Sequence, residues 1–297
     1  MRKIRISVVL ITIMFGVSAI AQANPVSAAA GDPEIIALMN RINSDLAEMG
    51  MDMRIGMIEL YTIGRGRPAN RIHQSGHRWM ADDDWRVAQE DDITYLVDWT
   101  HGWTSSGLTP AQTEAAIDRS MTTWNGLHAM RKMDIVKRPW APIWDPTIFD
   151  ELIPPYVDPD PRPGYPFFAD IVHAGWFPRD LFDALVPGGG DFILGFSVTF
   201  WWLDEEGNDV DKNGDNYIDT ALNEVYFNDN FFWGIDMELP GYDVETVSLH
   251  EFGHSLCIGH FGPPPVALMN PVYSGIIHSP YPTDEAGMKA IWSSWPK

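Results

Sequence analysis

The sequence predicts an α+β fold: a twisted mixed β-sheet with helices packed on it, one of them bearing paired histidines, and a last helix that closes the chain. Strand-like runs rich in β-branched and aromatic residues occupy 54–63, 93–99, 169–173 and 193–203. Helical spacing of apolar residues marks 33–49, 109–126, 244–258 and 284–292. Across 93–126 a strand runs directly into a long helix. A chain of 297 residues suits one sizeable domain with an N-terminal appendage.

Residues 1–23 begin with Arg2, Lys3 and Arg5, continue through an apolar run, and close on Ala21, Gln22 and Ala23. That is the pattern of a secretory signal peptide cut before Asn24, so a secreted protein is expected. The apolar run falls short of the about 20 residues a membrane span needs, and no later stretch reaches it. No stable membrane association is therefore expected. Residues 24–84 read as an N-terminal extension or pro-region. Asp32 caps a helix in which Ile35, Ile36, Leu38, Met39, Ile42 and Leu46 recur at helical spacing. A strand follows, then a loop at 64–68 with alternating glycines and Pro68, then a charged junction at Asp82, Asp83 and Asp84.

Residues 85–297 form the main domain. Thr109 is the expected cap of its long helix, with Pro110 in the first turn and Ala116, Ile117, Met121 and Trp124 on one face. Prolines crowd 140–166, which reads as a surface loop. The glycines at 188–190 turn the chain into the aromatic-rich strand 193–203, and Thr283 is the expected cap of the final helix. With 20 Lys and Arg against 41 Asp and Glu, the net charge of −21 excludes a nucleic-acid partner, since phosphate binding needs clustered basic residues. Cys257 is the single cysteine, which excludes an internal disulfide framework.

The chemistry concentrates on the helix 244–258. His250 and His254 are four residues apart, so their imidazoles lie on one face, roughly 5–6 Å apart at Cβ, and can converge on one metal ion. Glu251 then sits beside the metal, placed to accept a proton from an activated water. Two residues compete as third ligand. His260 follows His254 by six residues, where a chain leaving the helix can fold back. Cys257 lies on the same helix face as His254. A continuous helix, however, would place Cys257 about 10 Å along the axis from His250. A proline-marked turn, Ala267 to Pro271, follows.

From His250 to His260 the chain resembles the long zinc motif of the matrixin branch of the metzincin peptidases, His-Glu-x-x-His-x-x-Gly-x-x-His. The resemblance implies a zincin-like catalytic domain with an active-site helix, a Met-turn supplied by Met269, and a pocket wall built from Pro271 and Tyr273. It also implies Zn2+ held by His250, His254 and His260, Glu251 as catalytic base, and a protein or peptide substrate. It covers about residues 84–297 and is closest from His250 onward. Cys257 departs from the pattern, standing where the family has a glycine in left-handed conformation. Such a conformation costs a residue with a side chain roughly 1–2 kcal/mol. Either Cys257 bears that strain or Gly259 takes over the turn. The family's structural zinc and blocking propeptide cysteine have no counterpart in this sequence.

The strand 193–203 is expected to offer an edge to which a peptide adds by backbone pairing, with specificity from the pocket near Pro271 and Tyr273. Two rivals stand beside a secreted zinc endopeptidase. One is a secreted zinc-binding protein of the same fold without turnover; the other is a zinc hydrolase of a non-peptide amide. Glu251 argues against the first, since a structural zinc needs no base.

A second metal is expected from Asp211, Asn213, Asp215 and Asp219, which alternate around Gly214 as oxygen ligands for Ca2+. Two registers are open, one beginning at Asp209 and one at Asp211; the rival reading is a solvated acidic turn. His73, His77, His101, His128, His173 and His278 lack ligand spacing and are expected at the surface or in ordinary hydrogen bonds.

Overall fold

The computed structural model describes residues 32–64, 76–81, 83, 92–130, 133–141, 146–153 and 169–295. The expected signal segment, His73 and most of the proline-rich loop lie outside them. Seven of the described strands are β1 (Met53–Thr62), β2 (His77–Arg78), β3 (Ile93–Val97), β4 (Ile135–Lys137), β5 (Ile171–Phe177), β6 (Ile193–Trp202) and β7 (Ile218–Asn228). They form one mixed sheet in the order β1-β6-β7-β5-β3-β4, with β2 also paired to β7. β6 runs antiparallel to both its neighbours, whereas β3, β4, β5 and β7 run parallel. The helices are α1 (Pro33–Glu48), α2 (Pro110–Asn125), α3 (Arg179–Leu185), α4 (Val244–Ser255) and α5 (Pro282–Trp292). The α+β class with a mixed sheet is thus observed.

Two apolar cores lie on opposite faces of the sheet. On one face α1 and α3 bury Ile35, Leu38, Met39, Ile42, Leu46, Leu181 and Phe182 against Ile58, Phe196, Val198 and Tyr226. Fully burying each aliphatic chain there contributes about 1.5–3 kcal/mol. On the other face α2, α4 and α5 enclose Trp124, Phe252, Met269, Met288 and Trp292 with Leu194, Val225 and Phe227. Period-2 alternation along β6 serves both: Phe196, Val198 and Phe200 join the first core, and Gly195, Ser197 and Thr199 face α4.

Local sequence fixes the helix ends. The Asp32 carboxylate accepts the Glu34 amide at the start of α1, and Thr109 and Gln112 make a capping box for α2 with Pro110 at its first position. The last helix starts two residues earlier than expected. Tyr281, not Thr283, is its cap, because Pro282 opens the first turn and the Asp284 carboxylate accepts the Tyr281 amide at 2.8 Å.

Two further findings in the sheet differ from the sequence expectation. β7, for which the sequence raised no expectation, is central to the sheet. β6 is not an edge: β1 pairs with it antiparallel from Met53↔Trp202 to Thr62↔Ile193. A one-residue bulge interrupts this ladder at Gly56, which lies so close to the Trp201 indole that a Cβ would sit 2.0 Å from it.

Candidate metal centre

Asp243 starts α4 by accepting the Thr246 amide at 2.8 Å and the Thr246 hydroxyl at 2.7 Å. Every residue of α4 is buried, as befits a helix wedged between α2 and the sheet. Its end is a Schellman turn: the Ile258 amide donates to the Gly253 carbonyl at 2.9 Å and the Cys257 amide to the His254 carbonyl at 2.8 Å. Cys257 occupies the left-handed position of that turn with φ 70°, so it bears the strain and Gly259 does not. The reversal sends the chain back toward α4 and delivers His260.

His250, His254 and His260 converge with Nε2 to Nε2 separations of 3.1 to 3.2 Å. The group could hold a metal ion. Two backbone carbonyls set the tautomers. His250 Nδ1 donates to the Leu268 carbonyl at 2.8 Å and His254 Nδ1 to the Ile258 carbonyl at 2.7 Å. In the neutral rings Nε2 is then an unprotonated acceptor. Lone pairs facing one another at this distance repel unless a cation lies between them, and the separations fit the about 3.3 Å edge of a tetrahedron with metal–nitrogen bonds of about 2.0–2.1 Å. Burial, with the neighbouring imidazoles, holds His250 well below the ordinary histidine range.

Cys257 is not part of this group. Its thiol is pushed up to about 12 by burial, against the opposing pull of the Trp79 backbone. The third histidine, and not the thiol, completes the cluster.

Glu251 is fully buried, and neither carboxylate oxygen has a hydrogen-bond partner. Burial raises it to about 8. An unpaired carboxylate sealed in the interior is costly, and a dication on the adjacent imidazoles would compensate it. Gly195 on β6 lets the sheet approach closely, since a Cβ there would lie 3.3 Å from Glu251 Oε1. Above α4 the sheet is polar: the Asn223 amide nitrogen donates to Ser197 Oγ and Thr199 Oγ1, each at 2.9 Å.

Met269 lies directly under α4, its sulfur 2.3 Å from where a Gly253 Cβ would stand. The turn it belongs to is tied down by Asp284, which accepts the Leu268 and Met269 amides at 2.8 and 3.1 Å. One turn thereby orients His250 through the Leu268 carbonyl and packs Met269 beneath it. Tyr273 lies 6.0 Å from the ring of Tyr61 and its hydroxyl accepts the Asp243 amide at 3.2 Å, while the Pro271 carbonyl accepts the Thr62 amide at 3.2 Å.

Two residues of β1 were not anticipated at the centre. Glu59 Oε2 lies 2.6 Å from His254 Nδ1. Burial opposes ionisation of both partners, but their mutual attraction wins, lowering Glu59 and raising His254 from their ordinary values. Tyr61 stacks flat on His250, with ring centroids 3.7 Å apart and planes 8° from parallel. The signal for Glu59 was present in the sequence as a lone acid in the apolar strand Met57, Ile58, Leu60, Tyr61.

Asp211, Asn213, Asp215 and Asp219, the expected calcium ligands, lie on the turn that leads into β7 and at the start of that strand. Asp211 accepts the Asp215 and Asn216 amides at 3.0 and 2.9 Å, Asp219 accepts the Lys212 amide at 2.8 Å, and Asp215 pairs with Arg78. Asp209 is engaged by Arg54 at 2.7 Å, and Asn213 donates to Asp215 at 3.1 Å. Asp211, Asp215 and Asp219 form no metal-sized cluster among the described residues. These side chains tie down a tight turn and engage two arginines.

Asp219 is pushed up to about 7 by burial and by the neighbouring Asp83, Asp211 and Asp215. A carboxyl whose pKa is raised on folding holds its proton longer than the unfolded chain does. Stability therefore falls as pH rises from the unfolded value near 4 toward 7. Asp219→Asn should remove that loss, melting at the same temperature as the parent at pH 4 and a few degrees higher at pH 8, about 1–2 kcal/mol after solvent screening. Equal melting at both pH values would contradict it.

Among the other histidines, His77 Nδ1 lies 2.8 Å from Thr220 Oγ1 and His278 Nε2 lies 2.8 Å from Asp243. His173 departs from expectation. It is fully buried without a hydrogen bond to either ring nitrogen, packed on Phe227 and Trp176, and burial lowers it to about 3.

No protein-family model matches the chain, and no curated protein matches it. Among the described residues no helix is long and apolar enough to cross a membrane.

Proposed function

We propose that the chain is a secreted zinc-dependent endopeptidase of matrixin-like, metzincin type. The observation that carries this reading is the convergence of three imidazole nitrogens at 3.1 to 3.2 Å beside the buried, unpaired carboxylate of Glu251. His250, His254 and His260 would hold the zinc ion. When bound there, zinc supplies Lewis acidity for a carbonyl and acidifies a water.

The chain's own residues do the rest. The ionised Glu251 accepts a proton from the attacking water while that oxygen adds to the peptide carbonyl carbon. It then delivers the proton to the departing amine nitrogen as the C–N bond breaks. Leu268 and Ile258 fix the tautomers of two ligands, their carbonyls orienting the metal-binding imidazoles and raising their basicity. Met269 and Gly253 set the floor; Pro271 and Tyr273 set the wall along which a substrate strand lies.

Metal content measured together with casein cleavage over a long incubation tests the reading. The expected result is about one zinc per chain and cleavage abolished by a chelator. Casein cleavage that survives complete removal of the metal would refute it.

A further inference from the structure

The centre is closed. His250 and Glu251 are 0 % exposed and Tyr61 is 1 % exposed, so no peptide reaches Glu251 in this conformation. What closes it is a piece of the chain in the conformation of a guest strand. Along one side β1 pairs with β6, with Tyr61 opposite Gly195, the residue that lies against Glu251. At its end β1 is clasped from the other side as well. The Thr62 amide donates to the Pro271 carbonyl at 3.2 Å, and the Tyr273 amide donates to the Thr62 carbonyl at 2.9 Å. The Ile63 amide returns to β6's side, donating to the Phe192 carbonyl at 2.8 Å. At Thr62 the chain therefore threads a slot whose two walls both offer backbone donors and acceptors, while residues 59–61 pair with β6 and Tyr61 lies flat on His250.

We infer that this slot is the strand-binding site for an extended polypeptide, and that residues 59–62 are its built-in occupant, a strap that must peel away before substrate enters. The chemistry of the slot selects its guest. Backbone pairing on two sides accepts any extended chain. The flat face of His250, walled by Tyr273 at 6.0 Å from the Tyr61 ring, favours an aromatic side chain at the position of Tyr61.

The two halves of β1 differ in their attachments. The first half is anchored by α1, whose Ile42 and Leu46 share a core with Met53, Ile55 and Ile58, and by the Arg54–Asp209 pair. The second half is held by Glu59, Tyr61 and the Thr62 clasp. Peeling of 59–62 alone opens the centre while α1 and the first half stay docked.

The inference rests on the peptidase reading for its assay but is testable without it. In the full, zinc-loaded chain, Tyr61→Ala removes the stacked ring and Thr62→Pro removes the amide that donates to Pro271; circular dichroism confirms that each is folded. The probe is a quenched fluorescent peptide carrying the sequence of residues 57–64. Both variants should cleave it at least about tenfold faster than the parent, since each loses a contact of order 1.4 kcal/mol or more to the strap. An unlabelled 57–64 peptide ending in an amide and made with D-residues at 60 and 61 should leave the rate unchanged. Cleavage by the parent as fast as by the folded variants overturns the strap and leaves the peptidase reading standing.

If no form cleaves although zinc is bound, the peptidase reading fails and binding decides the strap. A labelled 57–64 peptide should then bind Tyr61→Ala at least about tenfold more tightly than the parent by fluorescence anisotropy. Equal binding, or none, overturns it. Should one variant fail to fold, the other carries the comparison. Should both fail, hydrogen exchange on the parent decides: amides of 59–62 should exchange at least about tenfold faster than those at the centre of β7, and equal protection overturns the strap.

Discussion

Glu251→Gln should yield a folded protein that binds one zinc ion and turns over peptide about 100- to 10,000-fold more slowly, the range that removal of a general base produces. The three imidazoles are untouched, and the tautomers of His250 and His254 are set by the Leu268 and Ile258 carbonyls, which do not contact the Glu251 carboxylate. No hydrogen bond is lost either, because neither carboxylate oxygen has a partner. The fold and the metal affinity should thus survive a change that removes only the proton acceptor. Turnover is measured in the parent and in Tyr61→Ala, so that strap closure and loss of the base are read separately. A glutamine variant as active as its parent in both backgrounds would eliminate Glu251 as the base, and with it the proposed mechanism.

The difference between what the sequence disclosed and what it hid follows from the kind of contact involved. His250, His254 and Glu251 were legible because they lie within one helical turn, where spacing alone fixes their direction. His260 was harder, since its arrival depends on the reversal at Cys257, a conformation that favours glycine and that a cysteine gives no local reason to expect. The helix caps Asp32 and Thr109 were read correctly from short-range chemistry, whereas Thr283 was displaced because Asp284 bonds backward to Tyr281. β7 was hidden by its own polar residues. Asn223, Glu224 and Asn228 are buried, and each bonds to a partner distant in sequence: Asn223 to Ser197, Glu224 to the Ile148 amide at 2.7 Å, Asn228 to the Ile193 carbonyl at 2.8 Å. A buried strand whose polar groups are satisfied by tertiary partners does not show the alternation that a sequence pattern detects.

The position of β1 was misjudged for a related reason. Strand character at 54–63 was evident, but pairing is a non-local choice, and nothing in either strand states that β1 will take the free side of β6. Its consequence reaches the site directly, since Glu59 and Tyr61 come from the N-terminal segment and touch His254 and His250 on α4.

The floor of the centre gives the second large effect. Gly253 sits between Glu251 and His254 on the face of α4 that meets the Met-bearing turn. A Cβ there would lie 2.3 Å from Met269 Sδ, 2.8 Å from its Cε and 3.2 Å from Trp124 Cζ2. Met269 is flexible in principle but 0 % exposed here, and its backbone is held by Asp284 and by the Phe261 amide, which donates to its carbonyl at 2.8 Å. The strain must pass into the turn, and the next carbonyl along it, that of Leu268, orients His250. Gly253→Val should therefore lower stability by about 1–3 kcal/mol through overpacking and weaken zinc binding about 10- to 100-fold through the displaced imidazole. Met269→Ala alone leaves a cavity, destabilising by about 2–5 kcal/mol. The two changes are complementary in volume, so the double variant Gly253→Val with Met269→Ala should be more stable than the sum of the single effects by at least about 1 kcal/mol. Chemical denaturation of the four proteins measures this coupling, and competition with a chromogenic chelator measures the zinc affinity. Strict additivity would mean that residue 253 and Met269 do not press on one another, and that the glycine between the ligands serves some other purpose than making room for the methionine beneath them.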